Sequence, residues 1–545
     1  MGARITFLIV VFAAIYGLLC WRFFDIQVYQ GDRYETRASV INSEGGVLVP
    51  RRGSIYFSDK NGEKVPAAIN KEYPVIYAVP NEIDDPSSVA RALALNIADK
   101  TYDELETLLA KEDDPYELLV KKPTDEQVVS VRDSGLPGVY IGDSLSRYYP
   151  FSSVGAHVLG FVSANEPVWS GQYGAESYYN QRLGGVAGES SGDRIKSPLH
   201  GSDIQLTINA DIQTQAEDIL ENLIASSRGL GGTVIVAEPK TGKILAMASF
   251  PDFDPNYYGG SDVANFLNPA VQSIYEPGSI FKVVTMASAL DAGKVTPETT
   301  YYDSGELTLN GHTIKNWDLK ANGTISMTNV IEGSVNTGAA FAERQLGHEN
   351  FYEYLKRFGF KETTDIDLPG EVVGSLLPLE QDVMDINCAT ASFGQGISTT
   401  PIRLLMAVAS IANGGNLMRP YLNIENQPQK VGRTISREAS RQMIDMMVSA
   451  VDKAQLAAIK GYSIAGKTGT AQVPRLGSAQ GYTDDVINTY IGFAPAYSPE
   501  FIVLIRLDKP YGAPLAGLTV VPAFKELAQF LINYYAIPPD RIDIE

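Results

Sequence analysis

The chain has 545 residues and carries 44 Lys and Arg against 64 Asp and Glu, a formal charge of −20. At 44% hydrophobic and 20% charged it can bury several cores, roughly three or four by length, and is neither disordered nor collagen-like. The negative balance argues against nucleic acid as a partner, because phosphate binding needs Lys and Arg to replace counterions. Cys20 and Cys388 are the only cysteines, too few for a disulfide framework or a Cys-rich zinc site. His157, His200, His312 and His348 lack metal-ligand spacing such as H-E-x-x-H. No metal and no other cofactor is expected.

In chain order, Ile5 to Trp21 runs seventeen residues without a charge, and Phe23 and Phe24 extend it past Arg22. A cleaved signal peptide would show a small-x-small site, and a lipid-modified Cys20 a small residue where Leu19 stands. The reading is one uncleaved transmembrane helix within residues 1–24, with Arg4 on the cytoplasmic side and about 520 residues outside. Asp25 to Glu44 reads as a polar stalk. Arg51 to Tyr56 opens a β-rich region, with a hairpin turn at Asp59-Lys60-Asn61-Gly62. Pro86 to about Arg132 reads as helical, through Val89, Leu93, Leu95 and Ile97 and then Leu105, Leu108 and Leu109, punctuated by Asp113-Asp114-Pro115. Gly184 to Ser197 reads as a linker.

Past Gly201 the pattern predicts a helix over Ile212–Leu223, then a hairpin of Thr233–Ala237 with Ile244–Ala248. Helices follow after Ser279, after Ser334 and over Pro401–Ala412. Strands follow at Tyr490–Phe493 and Phe501–Leu507, and a helix from Pro522 to Tyr535 comes last. Strands at both ends with helices between predict one mixed sheet closed by distant segments.

Three short motifs carry chemistry. Pro277-Gly278-Ser279-Ile280-Phe281-Lys282 puts a serine at a helix start and a lysine one turn later on the same face. A serine hydroxyl needs a base, and a lysine amine can serve if burial and a nearby cation lower its pKa. Ser334-Val335-Asn336 reads alone as a helix cap, or as a hydroxyl relay with an amide that holds a peptide. Lys467-Thr468-Gly469-Thr470 lies in Gly461-Tyr-Ser-Ile-Ala-Gly466-Lys467-Thr468, which matches the phosphate-loop pattern. That reading needs a strand before Gly461 and a helix from Lys467, yet Gly469, Pro474 and Gly477 block a helix. The alternative is an exposed strand edge, with Lys467 and Thr468 on a carboxylate and Gly469 admitting a ligand to the backbone. The order S-x-x-K, S-x-N, K-T-G, spaced by 55 and 131 residues, is what lifts the set above chance.

With these motifs the sequence resembles the class B penicillin-binding proteins, and within them the division-type, FtsI-like peptidoglycan D,D-transpeptidases. Arg52-Gly-Ser-Ile with Asp59-Lys-Asn-Gly, Arg147-Tyr-Tyr-Pro, Gly155-Ala-His-Val-Leu-Gly-Phe-Val and Gly174-Ala-Glu-Ser-Tyr-Tyr resemble the pedestal motifs. Tyr275-Glu-Pro-Gly-Ser-Ile-Phe-Lys, Phe393-Gly-Gln-Gly-Ile, Gly466-Lys-Thr-Gly-Thr-Ala-Gln and Gly492-Phe-Ala-Pro-Ala resemble the catalytic ones.

The resemblance implies a multidomain α+β chain. A transmembrane helix (1–24) would be followed by a stalk and pedestal (25–200, with an α/β insertion near 67–140) and a transpeptidase domain (201–545) of mixed antiparallel sheet flanked by helices. It implies that Ser279 attacks the D-Ala-D-Ala carbonyl of a peptidoglycan stem peptide and Lys282 takes its proton. Ser334 would pass a proton to the leaving D-alanine, Asn336 would hold the donor peptide, Lys467 would shape the field, and Thr468 would bind the terminal carboxylate. The backbone N–H groups of Ser279 and Thr470 would form the oxyanion hole. β-Lactams would acylate the same serine. A polytopic SEDS-family glycosyltransferase would polymerise the glycan, with division or elongation proteins as further partners. Ile280, Asn322 and Arg403 depart from the family pattern, and Tyr275-Glu276 leans toward septal duty by analogy. The rival readings are a D,D-carboxypeptidase or β-lactamase-type hydrolase, and a non-catalytic β-lactam sensor or division scaffold.

Overall fold

The computed structural model describes residues 2–25, 47–97, 100–111, 116–163, 169–191, 194–381, 383–475, 481–512 and 514–541. The expected stalk, from residue 26 on, and Asp113-Asp114-Pro115 lie outside them. The first element is a 23-residue helix, Gly2–Phe24, with exposed apolar side chains such as Phe7, Phe12 and Tyr16. Among the described residues, no helix is long and apolar enough to cross a membrane.

The Asn-Gly turn forms as expected. Asp59 Oδ1 accepts from the N–H groups of Asn61 and Glu63, Gly62 takes φ +82°, and strand Ile55–Ser58 pairs antiparallel with the start of Lys64–Ala78. The far half of that long strand pairs with Glu117–Lys121 and Val139–Tyr148. The expected helical run is therefore three helices, Pro86–Ala94, Tyr102–Leu109 and Asp125–Ser134, interrupted by a strand. Glu117–Lys121 is too short for a pattern to separate strand from helix, and the ladder to Val75–Ala78 makes it a strand. Leu95 falls after the helix end and is 86% exposed, so it does not belong to the buried stripe of Val89, Leu93, Leu105 and Leu109.

The expected linker is also structured. Gly188–Ser191 and Arg194–Lys196 form a hairpin that pairs with Val47–Leu48. The glycine there serves close approach, since a Cβ on Gly188 would lie 2.3 Å from the Lys196 carbonyl oxygen. Beneath it Glu176 is wholly buried between two guanidinium groups, with Arg52 Nε at 2.6 Å and Arg147 Nε at 2.7 Å. Strand Ile204–Asn209 runs parallel to Ile55–Ser58 in the pedestal sheet and leads directly into the helix Ala210–Ser227. The two halves are thus joined through a shared strand.

The C-terminal half is built on a five-stranded antiparallel sheet ordered Ile244–Phe250, Gly231–Ala237, Phe501–Asp508, Tyr482–Ala494, Ala465–Pro474. Its central strands carry unbroken apolar runs, Val234–Ala237 and Phe501–Ile505, because both faces are covered there. Val234, Val236, Val503 and Ile505 pack toward helices Ala210–Ser227 and Val520–Tyr534. Ile235, Ala237, Ile502 and Leu504 face the other core, which holds the helices Phe281–Asp291 and Pro401–Ala412. Early and late segments of the chain close one sheet, as the distribution of apolar runs predicts, and Ala465–Pro474 is left as the edge.

Candidate active site

Pro277-Gly278 reverses the chain, with Gly278 at φ +56°. Gly278–Ile280 forms one 3-10 turn that runs into the buried helix Phe281–Asp291. Ser279 is thus held in the turn, and Lys282, 1% exposed, lies in the first turn of the α-helix beneath it. Gly394 N–H and C=O groups come from the loop after helix Asp385–Ala391, and its carbonyl accepts from Gly278 N at 3.1 Å. The edge strand meets the same turn from the other side. A Cβ on Gly469 would lie 3.1 Å from both Ile280 Cγ1 and the Pro277 carbonyl oxygen. Glycine at 469 is therefore a condition of the approach.

Ser334 differs from its expected place at a helix start. It is the left-handed C-cap, φ +54°, of Met327–Gly333, and Val335 precedes the helix Asn336–Leu346. Neither Ser334 nor Asn336 caps that helix. Asn336 Nδ2 instead donates to the Lys315 carbonyl at 2.8 Å. Lys467 lies in mid-strand, paired across to Ile491, and no helix begins there. The phosphate-loop reading fails on this geometry.

The three motifs meet at four side-chain polar atoms. Lys282 Nζ lies 2.9 Å from Ser279 Oγ and 3.2 Å from Ser334 Oγ, and donates to the Ser334 carbonyl at 2.6 Å. Lys467 Nζ donates to Ser334 Oγ at 2.9 Å and to the Thr468 carbonyl at 3.2 Å. A continuous path of hydrogen-bonding atoms therefore runs Ser279, Lys282, Ser334, Lys467. Burial, with the Lys467 ammonium nearby, holds the Lys282 amine well below the ordinary lysine value. Burial alone brings Lys467 down to about 7. Thr468 and Thr470 follow Lys467 on the edge strand, on either side of Gly469 and both half-buried, and Thr470 Oγ1 accepts from Ala516 N at 3.3 Å.

Sequence reasoning missed what holds Ser334 and Asn336 in place. Asp303, fully buried, accepts from Thr337 Oγ1 at 2.7 Å, Asn316 Nδ2 at 2.9 Å, and the Gly305 and Asn322 N–H groups at 3.0 Å. Burial opposes its charge, but the hydrogen bonds from Thr337 and Asn322 outweigh it and keep the carboxyl below its usual value. The residue next to Asn336 is thus pinned to a hairpin region thirty residues earlier, and Trp317 Nε1 adds a bond to the Gly333 carbonyl. Asp303-Ser-Gly reads in sequence only as a turn, so no local signal pointed to this web. Glu276 is a second case. Its carboxylate accepts from Gly396 N and Tyr482 Oη, each at 3.1 Å, tying the nucleophile segment to the neighbouring loop and strand.

The departures take structural roles. Ile280 is buried against Gly469. Asn322 donates to Asp303 through its backbone and its side chain, the latter at 2.6 Å. Arg403 donates to the Glu362 and Thr363 carbonyls from within helix Pro401–Ala412.

A family model for the penicillin-binding protein transpeptidase domain matches residues 232–529, and one for the penicillin-binding protein dimerisation domain matches residues 47–197. Stage V sporulation protein D of Bacillus subtilis is 33% identical, over 98% of this chain and 87% of that protein. Peptidoglycan D,D-transpeptidase FtsI of Escherichia coli is 28% identical, over 95% and 88%. Among solved structures, penicillin-binding protein 3 of Mycobacterium tuberculosis in complex with aztreonam superposes with a TM-score of 0.71 at 25% identity, covering 91% of this chain and 98% of that one. The serine, the two buried lysines and the open strand edge therefore sit in a fold and a sequence family that agree, and the chain belongs to the class B penicillin-binding proteins, serine-type transpeptidases of the FtsI-like group.

Proposed function

We propose that this chain cross-links peptidoglycan stem peptides through an acyl-enzyme on Ser279. The observation that carries the reading is the pair of amines on either side of Ser334 Oγ, with one of them also on Ser279 Oγ. Lys282, kept neutral by burial, takes the Ser279 proton as Oγ attacks the carbonyl of the penultimate D-alanine. The carbon–oxygen bond forms, the peptide C–N bond breaks, and the leaving D-alanine amine collects a proton by way of Ser334. Lys467 as ammonium orients the Ser334 hydroxyl and, with Thr468, attracts the terminal carboxylate. The N–H groups of Ser279 and Thr470 serve the oxyanion, where the loss of one donor typically costs about 10²–10³ in rate. Gly469 leaves the edge strand open to the substrate backbone, and Asn336 holds the donor peptide. An amine from a second stem peptide then displaces Ser279 and completes the cross-link.

β-Lactams acylate the same oxygen in this reading. The chain divides at about residue 200 into a pedestal and a transpeptidase domain, a partition supported by the limits of the two family matches. A single-pass anchor over residues 1–24 is supported by the helix Gly2–Phe24 and its uncharged stretch from Ile5 to Trp21. The catalytic half then lies outside the cytoplasmic membrane, and a SEDS-family glycosyltransferase supplies the glycan strand. Septal duty is the reading favoured by Tyr275-Glu276. The test is incubation of the full chain with labelled penicillin and with stem peptides. Ser279→Ala is expected to abolish labelling, and mass spectrometry is expected to find cross-linked dimer from the unaltered chain. Retained labelling in the variant would move the nucleophile, and free D-alanine without dimer would make the enzyme a hydrolase.

A further inference from the structure

Away from the catalytic serine, Glu343, His348 and Cys388 place one potential ligand atom each within 4.8 Å of one another. Glu343 ends the second turn of helix Asn336–Leu346 and is wholly buried. Its Oε1 lies 2.6 Å from His348 Nδ1, whereas its Oε2 is buried with no hydrogen-bond partner. Leaving a carboxylate oxygen bare in the interior costs free energy unless something is bound there. Cys388, 1% exposed, approaches from helix Asp385–Ala391. On the same face of that helix Asp385 Oδ1 lies 3.1 Å from His348 Nε2, the ring nitrogen turned away from Glu343.

We propose that Glu343, His348 and Cys388 form a structural site for a transition-metal cation of the zinc class. Thiolate, imidazole and carboxylate together are a donor set that favours zinc over calcium or magnesium. The Asp385 carboxylate supplies the outer partner that metal-bound histidines ordinarily have, fixing the ring and its tautomer. On binding, Cys388 gives up its thiol proton and His348 the Nδ1 proton it shares with Glu343 Oε1, both to solvent; the sulfur and Nδ1 take metal bonds, and the Glu343 carboxylate, released from the imidazole, gains the cation as its partner.

The place of the site gives it a purpose. Helix Asn336–Leu346 begins at Asn336, and helix Asp385–Ala391 runs into the Phe393-Gly394 loop that supports the Ser279 turn. A metal here would brace helix Asn336–Leu346 and the following helix His348–Arg357 against helix Asp385–Ala391, whose next loop bonds the Ser279 turn. It also shields a thiol in a compartment where free thiols are oxidised.

The test uses the full chain in detergent, stripped with a chelator and titrated with cobalt(II) as the spectroscopic stand-in for zinc. A thiolate-to-cobalt charge-transfer absorption is expected to saturate at about one equivalent. It should vanish in Cys388→Ser and weaken at least about tenfold in affinity in His348→Ala. Both variants should still be acylated by penicillin, which certifies their fold. As a measurement on the unaltered chain, alkylation of Cys388, located by peptide mass spectrometry, should slow at least about tenfold with zinc present. No charge-transfer band, a band that survives in Cys388→Ser through Cys20, or alkylation indifferent to zinc would each overturn the proposal.

Discussion

Gly394→Ala tests whether the loop behind the nucleophile sets its position. Gly394 sits at φ +79°, and an added Cβ would lie 2.3 Å from Gly278 O, 2.7 Å from Gly278 N and 2.9 Å from Gly278 C. All three are backbone atoms, so no side chain can swing away. Carbon contacts settle near 3.5 Å, so the turn carrying Ser279 must retreat by about 1 Å. A misplacement of that size costs on the order of 10²-fold in a reaction that depends on orientation. The left-handed backbone adds about 1–2 kcal/mol of strain to the folded state. Gly396→Ala is the matched control. It has φ +76° and so bears the same strain, but its Cβ would meet nothing nearer than Thr390 Oγ1 at 3.6 Å. The assay is the second-order rate of acylation by a fluorescent penicillin, with Tm measured alongside. Both variants are expected to lose Tm, Gly394→Ala the more for its backbone clash, and only Gly394→Ala to acylate about 10²-fold more slowly. Rates within about threefold of each other in the two variants would refute the claim that Gly394 positions the nucleophile.

Three further outcomes follow from the site and the pedestal. The proposed mechanism uses Lys282 as the neutral base and Lys467 as the ammonium, so the rate should rise as Lys282 loses its proton at its lowered pKa. In the free enzyme it should fall again as Lys467 loses its own near 7. A rate that climbs steadily through the alkaline range would deny Lys467 its role as ammonium. Asp303→Ala removes the acceptor that pins Thr337 beside Asn336. It should slow acylation by about tenfold while leaving Ser279 labelled at long times, and an unchanged rate would make that web merely structural. Glu176→Gln leaves Arg52 and Arg147 buried with no counter-charge, which should cost about 3–5 kcal/mol and lower Tm, whereas labelling at room temperature should persist. An unaltered Tm would mean that water or a shift of the guanidinium groups compensates.

Much was legible in the sequence because it depended on local order. The Asn-Gly turn, the helix Pro401–Ala412, and the hairpin of Thr233–Ala237 with Ile244–Ala248 follow from residue types whose backbone preferences act over a few positions. The same is true of Ser279 and Lys282, one helical turn apart. Errors arose where long-range pairing overrode composition. Glu117–Lys121 is a strand because Val75–Ala78 lies beside it, and the Gly/Ser-rich run at 184–197 is a hairpin because Val47–Leu48 offers it a ladder.

The sequence by itself determined which groups are available: one nucleophile motif, two lysines, a strand that can approach closely at Gly469, and a charge that repels nucleic acid. Only the tertiary structure decided that Lys282 and Lys467 share one hydroxyl, that Asp303 holds the Asn336 turn, and that Glu343, His348 and Cys388 meet from three helices. The physical reason is range. Propensities and spacing act along the chain, whereas a lowered lysine pKa or a cluster of ligands needs burial and neighbours that only the closed sheet and its helices bring together.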